Sequence, residues 1–314
     1  MGGEENRQFV KSNFQGSPLD SNYISPNLVD PSKTIIHVQD FSHDVKKLRN
    51  SVMSSGHEKG QHTRLLTYEG KEITWEHFKN AVLWDRDVNS RPIYYRISDT
   101  HLAPNKAEKM RNHLAEDMLN KEMLHLMEVY QSCLPDGSHL ESTIAFLTQT
   151  STLIAIFRDR RPVTSMTDDR LEALKSVHQW FTNWRYRVKS DESVVQGKRA
   201  KLLPSTECLD DLDSLVLGFL AVCEKHLSSF PGSHVVPARF NSDVVENHFC
   251  QERGLHNGNL THPNYYTYCA TVNAVILGQT SISRGRKSNA GLSVAKPYKF
   301  YVDNKNNKRI NRDR

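Results

Sequence analysis

The sequence has few cysteines and no long apolar run, and both absences exclude classes of protein. Its 314 residues include no stretch of 18 or more apolar residues, which a membrane-spanning helix would need, and the start Met-Gly-Gly-Glu-Glu-Asn-Arg lacks the apolar segment of a secretory signal. The five cysteines are scattered and odd in number, which favours reduced thiols over a disulfide framework. We therefore expect an intracellular protein with no membrane partner.

Common motifs for nucleotide and zinc binding are absent as well. No Gly-x-x-x-x-Gly-Lys-Ser/Thr phosphate loop occurs in the sequence. Cys223 and His226 form a close pair of possible zinc ligands but lack a second pair at finger spacing, so no zinc finger is predicted. The composition, 37% apolar and 25% charged residues, is ordinary for a globular chain long enough for two domains.

The net charge of +5 is distributed unevenly along the chain. Residues 284–314 contain ten Lys or Arg and two Asp, a balance of +8, which leaves −3 for residues 1–283. A polyanion would be attracted first to this basic segment, which supplies the DNA-contact candidates Arg284, Arg286 and Lys287. A solvated, disordered terminus explains the same composition, and both interpretations stay open.

The residues before the main helical region predict few strands. Residues 1–32 are rich in Ser, Asn, Gly and Pro, which indicates an irregular lead-in. The β-branched run from Thr34 to Gln39 predicts a buried strand that ends at Asp40. Residues 64–84 fit either a small hairpin or a helix that begins near Ile73.

Beyond Pro92 the apolar residues recur at helical spacing, and we predict a mainly α (α+β) fold. Ser190–Pro204 is polar and basic, which indicates an exposed loop between two helices. After Pro263 a last helix is predicted to end at Gly278. The other predicted helices cover residues 102–130, 140–157, 168–188, 205–230 and the segment around Glu246.

Two short blocks carry candidate chemistry, and the first begins at Asp40. It reads as a turn that leads into a basic amphipathic helix, with His43 three residues after the aspartate. An aspartate at the end of a strand is either a helix cap or a metal ligand, because the strand is rigid and its end is open. The residues alone leave both roles open.

The second block runs from Asn241 to Pro263. Asp243 and Glu246 have the spacing of a capping box at a helix start. Val245 and Phe249 are one turn apart and predict a buried apolar face, which leaves Glu246 on a different, polar stripe. From this pattern alone, Glu246 is a capping residue or a functional carboxylate.

The two blocks resemble the P element transposase family, which includes transposases that carry THAP zinc fingers. The second block has the form Asp-x-x-Glu-Asn-x-Phe-Cys-Gln-x-Arg-Gly and is followed by Asn259 and Pro263. The first has the form Asp-x-x-His and is followed by Lys46 and Arg49. It departs from the family pattern at Phe41, where a proline is more usual.

The resemblance implies an RNase H-like catalytic core interrupted by a helical insertion. Asp40 would be the second catalytic acid and Glu246 the third, and both would hold Mg²⁺ for DNA cleavage and strand transfer. Lys46, Arg49 and Arg253 are then further DNA-contact candidates, with transposon ends as the partner.

The resemblance also implies GTP as a cofactor of the helical insertion. The family's acid at the position of Asp243 lies close to both the nucleotide and the catalytic glutamate, so Asp243 is the GTP-binding candidate. Nuclear localisation and assembly with further copies of the chain are expected on the same basis.

The family's first catalytic aspartate lies on an earlier strand, and here only Asp20 and Asp30 precede Asp40 as candidates, neither in a strand-like run. We therefore expect an incomplete RNase H-like core, from a truncated copy or an incomplete gene model, that is inactive as it stands. The alternative is a domesticated interaction or DNA-binding protein without catalysis. The expected parts are a lead-in (1–32), a partial RNase H-like segment (33–60), a helical insertion (61–232), a C-terminal RNase H-like segment (233–283) and a basic tail (284–314).

Overall fold

The computed structural model describes residue 12 and residues 23–27, 29–58, 60, 63–255 and 264–281. This part of the chain is mostly helical, with two small antiparallel sheets of two strands each, which confirms the mainly α (α+β) prediction. The chain divides into two compact units, residues 1–242 and residues 243–314.

The first unit contains both sheets and most of the helices. Its strands are β1 (Ile24–Pro26), β2 (Thr34–Ile36), β3 (Leu66–Tyr68) and β4 (Lys71–Ile73). Its α-helices are α1 (Phe41–Met53), α2 (Trp75–Val88), α3 (Asp99–Leu102), α4 (Asn112–Asp117), α5 (Lys121–Cys133), α6 (Glu141–Phe157), α7 (Asp169–Ser190), α8 (Gln196–Arg199) and α9 (Thr206–Ser229). Short 3-10 helices cover Glu108–Met110, Ser138–Leu140 and Pro237–Arg239.

The strand before Asp40 is shorter than predicted and has a partner, and the prediction that it is buried is wrong, since Ile35 is 43% exposed. Only Thr34–Ile36 is extended in a ladder, and it pairs antiparallel with β1, whose Ile24 lies opposite Ile36. Ile24–Pro26 falls in the segment predicted to be irregular, so that prediction is wrong for these residues. A three-residue strand carries too little alternation to be recognised among turn-forming residues.

The hairpin of β1 and β2 lies directly against helix α9, because the backbone of His37, just after β2, approaches the helix closely at Gly218. A Cβ atom built on this glycine would lie 2.1 Å from the carbonyl oxygen of His37. Any side chain at position 218 would therefore push the end of the hairpin away from the helix. The absence of a side chain at Gly218 therefore allows the segment that leads to Asp40 to pack closely against helix α9.

Both alternatives for residues 64–84 occur, one after the other. β3 and β4 form a hairpin in which Leu66 lies opposite Ile73. Its two-residue turn has positive φ at both Glu69 (49°) and Gly70 (77°), the conformation that two-residue hairpins favour. Helix α2 then begins at Trp75.

The core of the first unit is made by the predicted helical stripes. Phe146 of α6 and Trp184 of α7 are almost fully buried, and Phe157 contacts Phe219 of α9 with ring centroids 5.1 Å apart. The predicted starts at Asp168 and Ser205 are confirmed as helix caps, as each side chain accepts a hydrogen bond from a first-turn N–H.

The long helix predicted over residues 102–130 is wrong, because the chain breaks there into several short helices. Asn120 caps a new helix, its side-chain oxygen accepting from the Met123 N–H at 3.0 Å. Upstream, Asn105 and Glu108 bond reciprocally and start a 3-10 turn. Met110, expected on the apolar face, is 68% exposed.

The segment Ser190–Pro204 is exposed over most of residues 190–201, as predicted, but its end docks on the protein. It contains helix α8, and its last part runs beside strand β3, where the Leu65 and Thr67 N–H groups donate to the Lys201 and Leu202 carbonyls. Leu203 is buried. Polar composition hid this docking because the contacts are made by the backbone.

The apolar segment Ser138–Phe157 is long and apolar enough to cross a membrane by length and composition alone. Of its apolar window, 61% is buried inside the protein. A core helix meets the same criterion, and here the residues pack against α5 and α7.

The second unit contains helices α10 (Asp243–Leu255) and α11 (Tyr265–Ser281). Helix α11 continues past Gly278, so the predicted end there is wrong. The expected buried Val245 and Phe249 face is also wrong, since these side chains are 49% and 37% exposed. Two acidic side chains of α10 are buried instead, those of Asp243 and Glu252, and Glu252 Oε1 accepts from the Thr271 hydroxyl of α11 at 3.3 Å.

Candidate metal centre

Asp40 has two roles, because its two carboxylate oxygens face different segments. Oδ1 accepts from the backbone N–H groups of Ser42 at 2.7 Å and His43 at 3.3 Å, which makes Asp40 the cap of helix α1. Oδ2 accepts from the N–H of Ser242 at 2.7 Å and from the Ser242 hydroxyl. The second pair of bonds spans 202 residues and is no part of a cap.

The environment of Asp40 favours its ionised form. Burial opposes ionisation, but the hydrogen bonds from Ser242, the charge of His43 and the Ser42 N–H outweigh it, and the pKa of Asp40 is lowered. The residue is only partly buried. Asp40 is therefore a half-buried anion held in one orientation at neutral pH.

His43 lies beside this carboxylate. A ring nitrogen of His43 and a carboxylate oxygen of Asp40 lie within 4.8 Å of each other. Both belong to the first unit and to the start of helix α1, which is fixed by Phe41, a buried ring stacked on Phe157 at 5.3 Å. Phe41, where the resembled family more often has proline, thus anchors the helix start by packing.

Asp44 was missed as a notable residue in the sequence. It is fully buried, neither carboxylate oxygen has a hydrogen-bond partner, and burial raises its pKa well above the usual range. Its spacing of three residues from Phe41 and four from Leu48 places it on the apolar stripe of α1, a signal that the sequence does contain.

The two basic DNA-contact candidates of helix α1 lie in different surroundings. Arg49 is fully buried, donates to the Lys109 carbonyl at 2.8 Å, and has its pKa lowered to about 10 by burial. This placement does not support a DNA contact by Arg49. Lys46 is half-buried with Nζ 3.5 Å from the Met110 carbonyl, and its DNA contact stays a prediction.

The remaining candidates lie in or beyond the second unit. Asp243 is the first residue of α10 and is buried, and Glu246 lies in the first turn of the same helix and is exposed. Arg253 lies in α10, but its side chain is outside the described part of the chain. Outside the described residues altogether are Arg284, Arg286 and Lys287.

The pairing of Asp40 with Glu246 stays a prediction, with one supporting relationship inside the first unit. Ser242, whose N–H and hydroxyl donate to Asp40, is the last residue of that unit and directly precedes helix α10. Glu246 follows Ser242 by four residues.

Of the two earlier aspartates, the structure describes Asp30, which is not on a strand. Asp30 lies between β1 and β2, where it accepts from Ser32 and pairs with Lys33 at 3.0 Å. These hydrogen bonds lower the pKa of Asp30. Asp20 is outside the described residues.

The fold of the chain is similar to that of a transposase of known structure. A solved structure that it is similar to is titled "Drosophila P element transposase strand transfer complex", with a TM-score of 0.67 and 16% sequence identity. The match covers 89% of this chain and 59% of that one, so this chain spans somewhat more than half the length of that protein. No protein-family model matches the sequence, and no curated protein matches it significantly. At this identity the similarity establishes the fold alone.

Proposed function

We propose that the chain takes part in metal-dependent phosphoryl transfer on DNA, as a P element-like transposase, with Asp40 and Glu246 holding Mg²⁺. The observation that carries the proposal is the pair of hydrogen bonds from Ser242 to Asp40. They attach the residue just before helix α10 to an ionised carboxylate of a transposase-like fold. In an α-helix each residue advances about 1.5 Å, so the four residues from Ser242 to Glu246 are about 6 Å of helix.

The donor set suits a divalent cation. Mg²⁺ prefers carboxylate oxygens, which Asp40 and Glu246 offer, and the imidazole of His43 adds a nitrogen that Mn²⁺ accepts more readily. A carboxylate has about four lone-pair sites, and on Asp40 all of them accept hydrogen bonds. Three of those donors are backbone N–H groups, whereas the Ser242 hydroxyl can rotate. A cation bound to Asp40 would therefore replace the hydroxyl proton of Ser242.

A bound divalent cation would supply activation of the attacking oxygen and stabilisation of the leaving oxygen at phosphorus. The residues of the chain hold and orient the ligands. The N–H groups of Ser42 and His43 fix the plane of the Asp40 carboxylate, and the Ser242 N–H keeps it ionised. Such fixed orientation lowers the cost of arranging ligands around the reacting phosphate.

GTP binding at Asp243, contact with transposon ends, self-assembly and a nuclear location are further proposals that rest on the sequence resemblance. Asp243 is buried at the start of α10. An Asp243→Asn variant should weaken GTP binding at least tenfold, since a neutral amide would replace the carboxylate and the charge-assisted hydrogen bond to the nucleotide would be lost. Calorimetric titration of GTP into both proteins measures this, and equal affinities would exclude Asp243 from a nucleotide site.

The second candidate function is a transposase-derived interaction or DNA-binding protein without catalysis. The observation that favours it is Asp30, the one acidic residue within residues 23–27 and 29–39, which lies in a turn and is paired with Lys33. Such a protein would bind DNA or protein partners with no dependence on Asp40 or Glu246.

Calorimetric titration of Mn²⁺ into the full chain and into Asp40→Asn and Glu246→Gln variants tests the metal proposal. A shared ion needs both ligands, so each variant should lose at least tenfold in affinity. Asp30→Asn, which removes a carboxylate outside the site, is the matched control and should bind as the parent does. Loss in Asp40→Asn with full binding in Glu246→Gln would show that the two acids do not share a cation.

A cleavage assay separates the two candidate functions. Labelled duplex DNA is incubated with Mn²⁺ and the parent or the two variants. Nicking that disappears in both variants supports the transposase function. DNA binding that is the same in all three proteins, with no nicking, supports the non-catalytic alternative.

A further inference from the structure

A cavity of about 590 Å³ in the first unit has a strongly basic lining. It lies where the end of helix α7, the short helix α8 and the start of helix α9 meet. One lining residue is acidic, Glu207, and four carry a positive charge: Arg64, Arg185, Lys189 and Arg199. A volume of this size is typical of sites for small molecules.

Two of the guanidinium groups are fixed in place without being neutralised. Arg64 Nη1 donates to the carbonyls of Ala200 at 2.7 Å and Leu203 at 2.9 Å. Arg199 donates from Nε to Val194 at 3.1 Å and from Nη1 to Lys189 at 2.8 Å. Carbonyl oxygens have no net charge, so these bonds orient each guanidinium and leave its charge intact. Further N–H donors remain on both groups, because an arginine has five.

The other two cations differ from each other. Arg185 is in ion pairs with Asp210 at 2.8 Å and Asp213 at 3.2 Å, so its charge is largely compensated. Lys189 is exposed, and within the described part of the chain it forms no ion pair with a carboxylate. Arg64, Lys189 and Arg199 therefore bring three positive charges to one cavity, and within the described residues none of them forms an ion pair. Asp191, which interacts electrostatically with Arg199, and Glu207 in the lining offset part of that charge.

The start of helix α9 adds to the positive potential of this cavity. The helix is 24 residues long, and Ser205 Oγ accepts from the Cys208 N–H at 3.2 Å. The first N–H groups of a helix carry partial positive charge. Leu203 and Leu209, both buried, supply an apolar part of the lining, which lowers the local dielectric and strengthens the attraction of an anion.

We propose that this cavity binds the phosphate group of a phosphorylated ligand. Oriented guanidinium groups, an ammonium group and a helix start together match the charge and the several acceptor oxygens of a phosphate. The phosphate can come from a phosphorylated small molecule or from a nucleic-acid backbone. None of the lining residues belongs to the set proposed above for metal or GTP, so this site does not depend on that proposal.

Two probes distinguish the sources in experiments on the full chain: pyrophosphate in calorimetric titration and a short labelled DNA duplex in fluorescence anisotropy. The variants are Lys189→Gln and Arg199→Gln. The matched control is Lys175→Gln, which removes one charge from the same helix about 21 Å away along its axis. Lys189→Gln touches no side-chain hydrogen bond of the described residues, so its folding is not at risk. Arg199→Lys keeps the charge if Arg199→Gln is unstable.

We expect the affinity of the bound probe to fall about threefold to tenfold in Lys189→Gln and tenfold or more in Arg199→Gln, with Lys175→Gln unchanged. Arg199→Lys should lose less than Arg199→Gln. If the variants weaken pyrophosphate binding, the site takes a small phosphorylated ligand. If they weaken DNA binding alone, the site takes a backbone phosphate. If neither probe binds, or if Lys175→Gln lowers affinity as much as Lys189→Gln, the proposal is wrong. Asp40→Asn should leave pyrophosphate binding unchanged.

Discussion

Asp40 and Ser242 lie 202 residues apart in the sequence and are joined by two hydrogen bonds to the same carboxylate oxygen. The backbone N–H of Ser242 donates at 2.7 Å, and the hydroxyl donates as well. One aspartate therefore caps helix α1 and also holds the chain at the entrance to helix α10. The chain passes from this contact directly into helix α10, where Glu246 follows Ser242 by four residues.

The Ser242 hydroxyl should compete with a divalent cation for Asp40. Replacing Ser242 by Ala removes that donor and keeps the backbone N–H, so we expect Mn²⁺ affinity to rise severalfold. Loss of a hydrogen bond to a charged group should lower the free energy of unfolding by about 1.5–3 kcal/mol without metal. Calorimetric titration and urea unfolding measure the two effects.

Ser233→Ala is the control for this prediction. The Ser233 hydroxyl also bonds within the first unit, to the His226 carbonyl at 3.5 Å, but has no contact with a carboxylate. It should change neither quantity appreciably. A Ser242→Ala protein that binds Mn²⁺ more weakly would show that the hydroxyl supports the metal site instead of competing with it.

Gly218 should tolerate no side chain. In Gly218→Ala the new Cβ would lie 2.1 Å from the His37 carbonyl oxygen, so the hairpin and helix α9 would have to separate. Backbone atoms cannot move aside as a flexible side chain can, and we expect a loss of about 2–3 kcal/mol in the free energy of unfolding.

The matched control is Gly197→Ala, because an added Cβ there meets no atom within 4 Å. Alanine in the short helix α8 should leave stability unchanged or raise it by about 0.5–1 kcal/mol. Urea unfolding of the parent, Gly218→Ala and Gly197→Ala proteins measures these differences in stability. Equal midpoints for Gly218→Ala and the parent would show that the hairpin does not need this close approach.

His77 should make the protein less stable in mild acid. Burial, and then the nearby His139, lower the pKa of His77 to about 4 from an ordinary value of 6.5. Between these values the unfolded chain binds the proton more readily than the folded one, so stability falls as pH drops from about 6.5 to about 4. The full effect is roughly 3.5 kcal/mol at most, from about 1.4 kcal/mol for each pKa unit.

His77→Asn isolates this effect, because its side-chain amide can still bond the Thr143 hydroxyl that lies 2.7 Å from His77 Nδ1. Between pH 7 and pH 4.5 this variant should lose less stability than the parent. His125→Asn, at an exposed position, should follow the parent. Urea unfolding across the pH range measures the three curves, and parallel curves for His77→Asn and the parent would contradict the prediction.

Local sequence determined much of the helical architecture. The starts at Asp168 and Ser205 were predictable because a cap bonds to N–H groups only two or three residues away. The stripes of α6, α7 and α9 were predictable because helical spacing brings their apolar residues to one face. The strand at Ile24–Pro26 and the docking of residues 201–204 were not, because both depend on backbone hydrogen bonds to distant segments.

The candidate sites also combine features that the sequence predicted with features that depend on distant segments. The resemblance to the P element transposase family singled out Asp40 as a candidate ligand, and the local pattern by itself predicted its role as a cap. Only the tertiary structure decided that its other oxygen bonds to Ser242, that Arg49 is buried, and that Arg64 meets Arg199 in one cavity. Residue identity encodes charge and local hydrogen bonding, whereas burial and the approach of residues more than 100 positions apart arise only when the helices pack against each other.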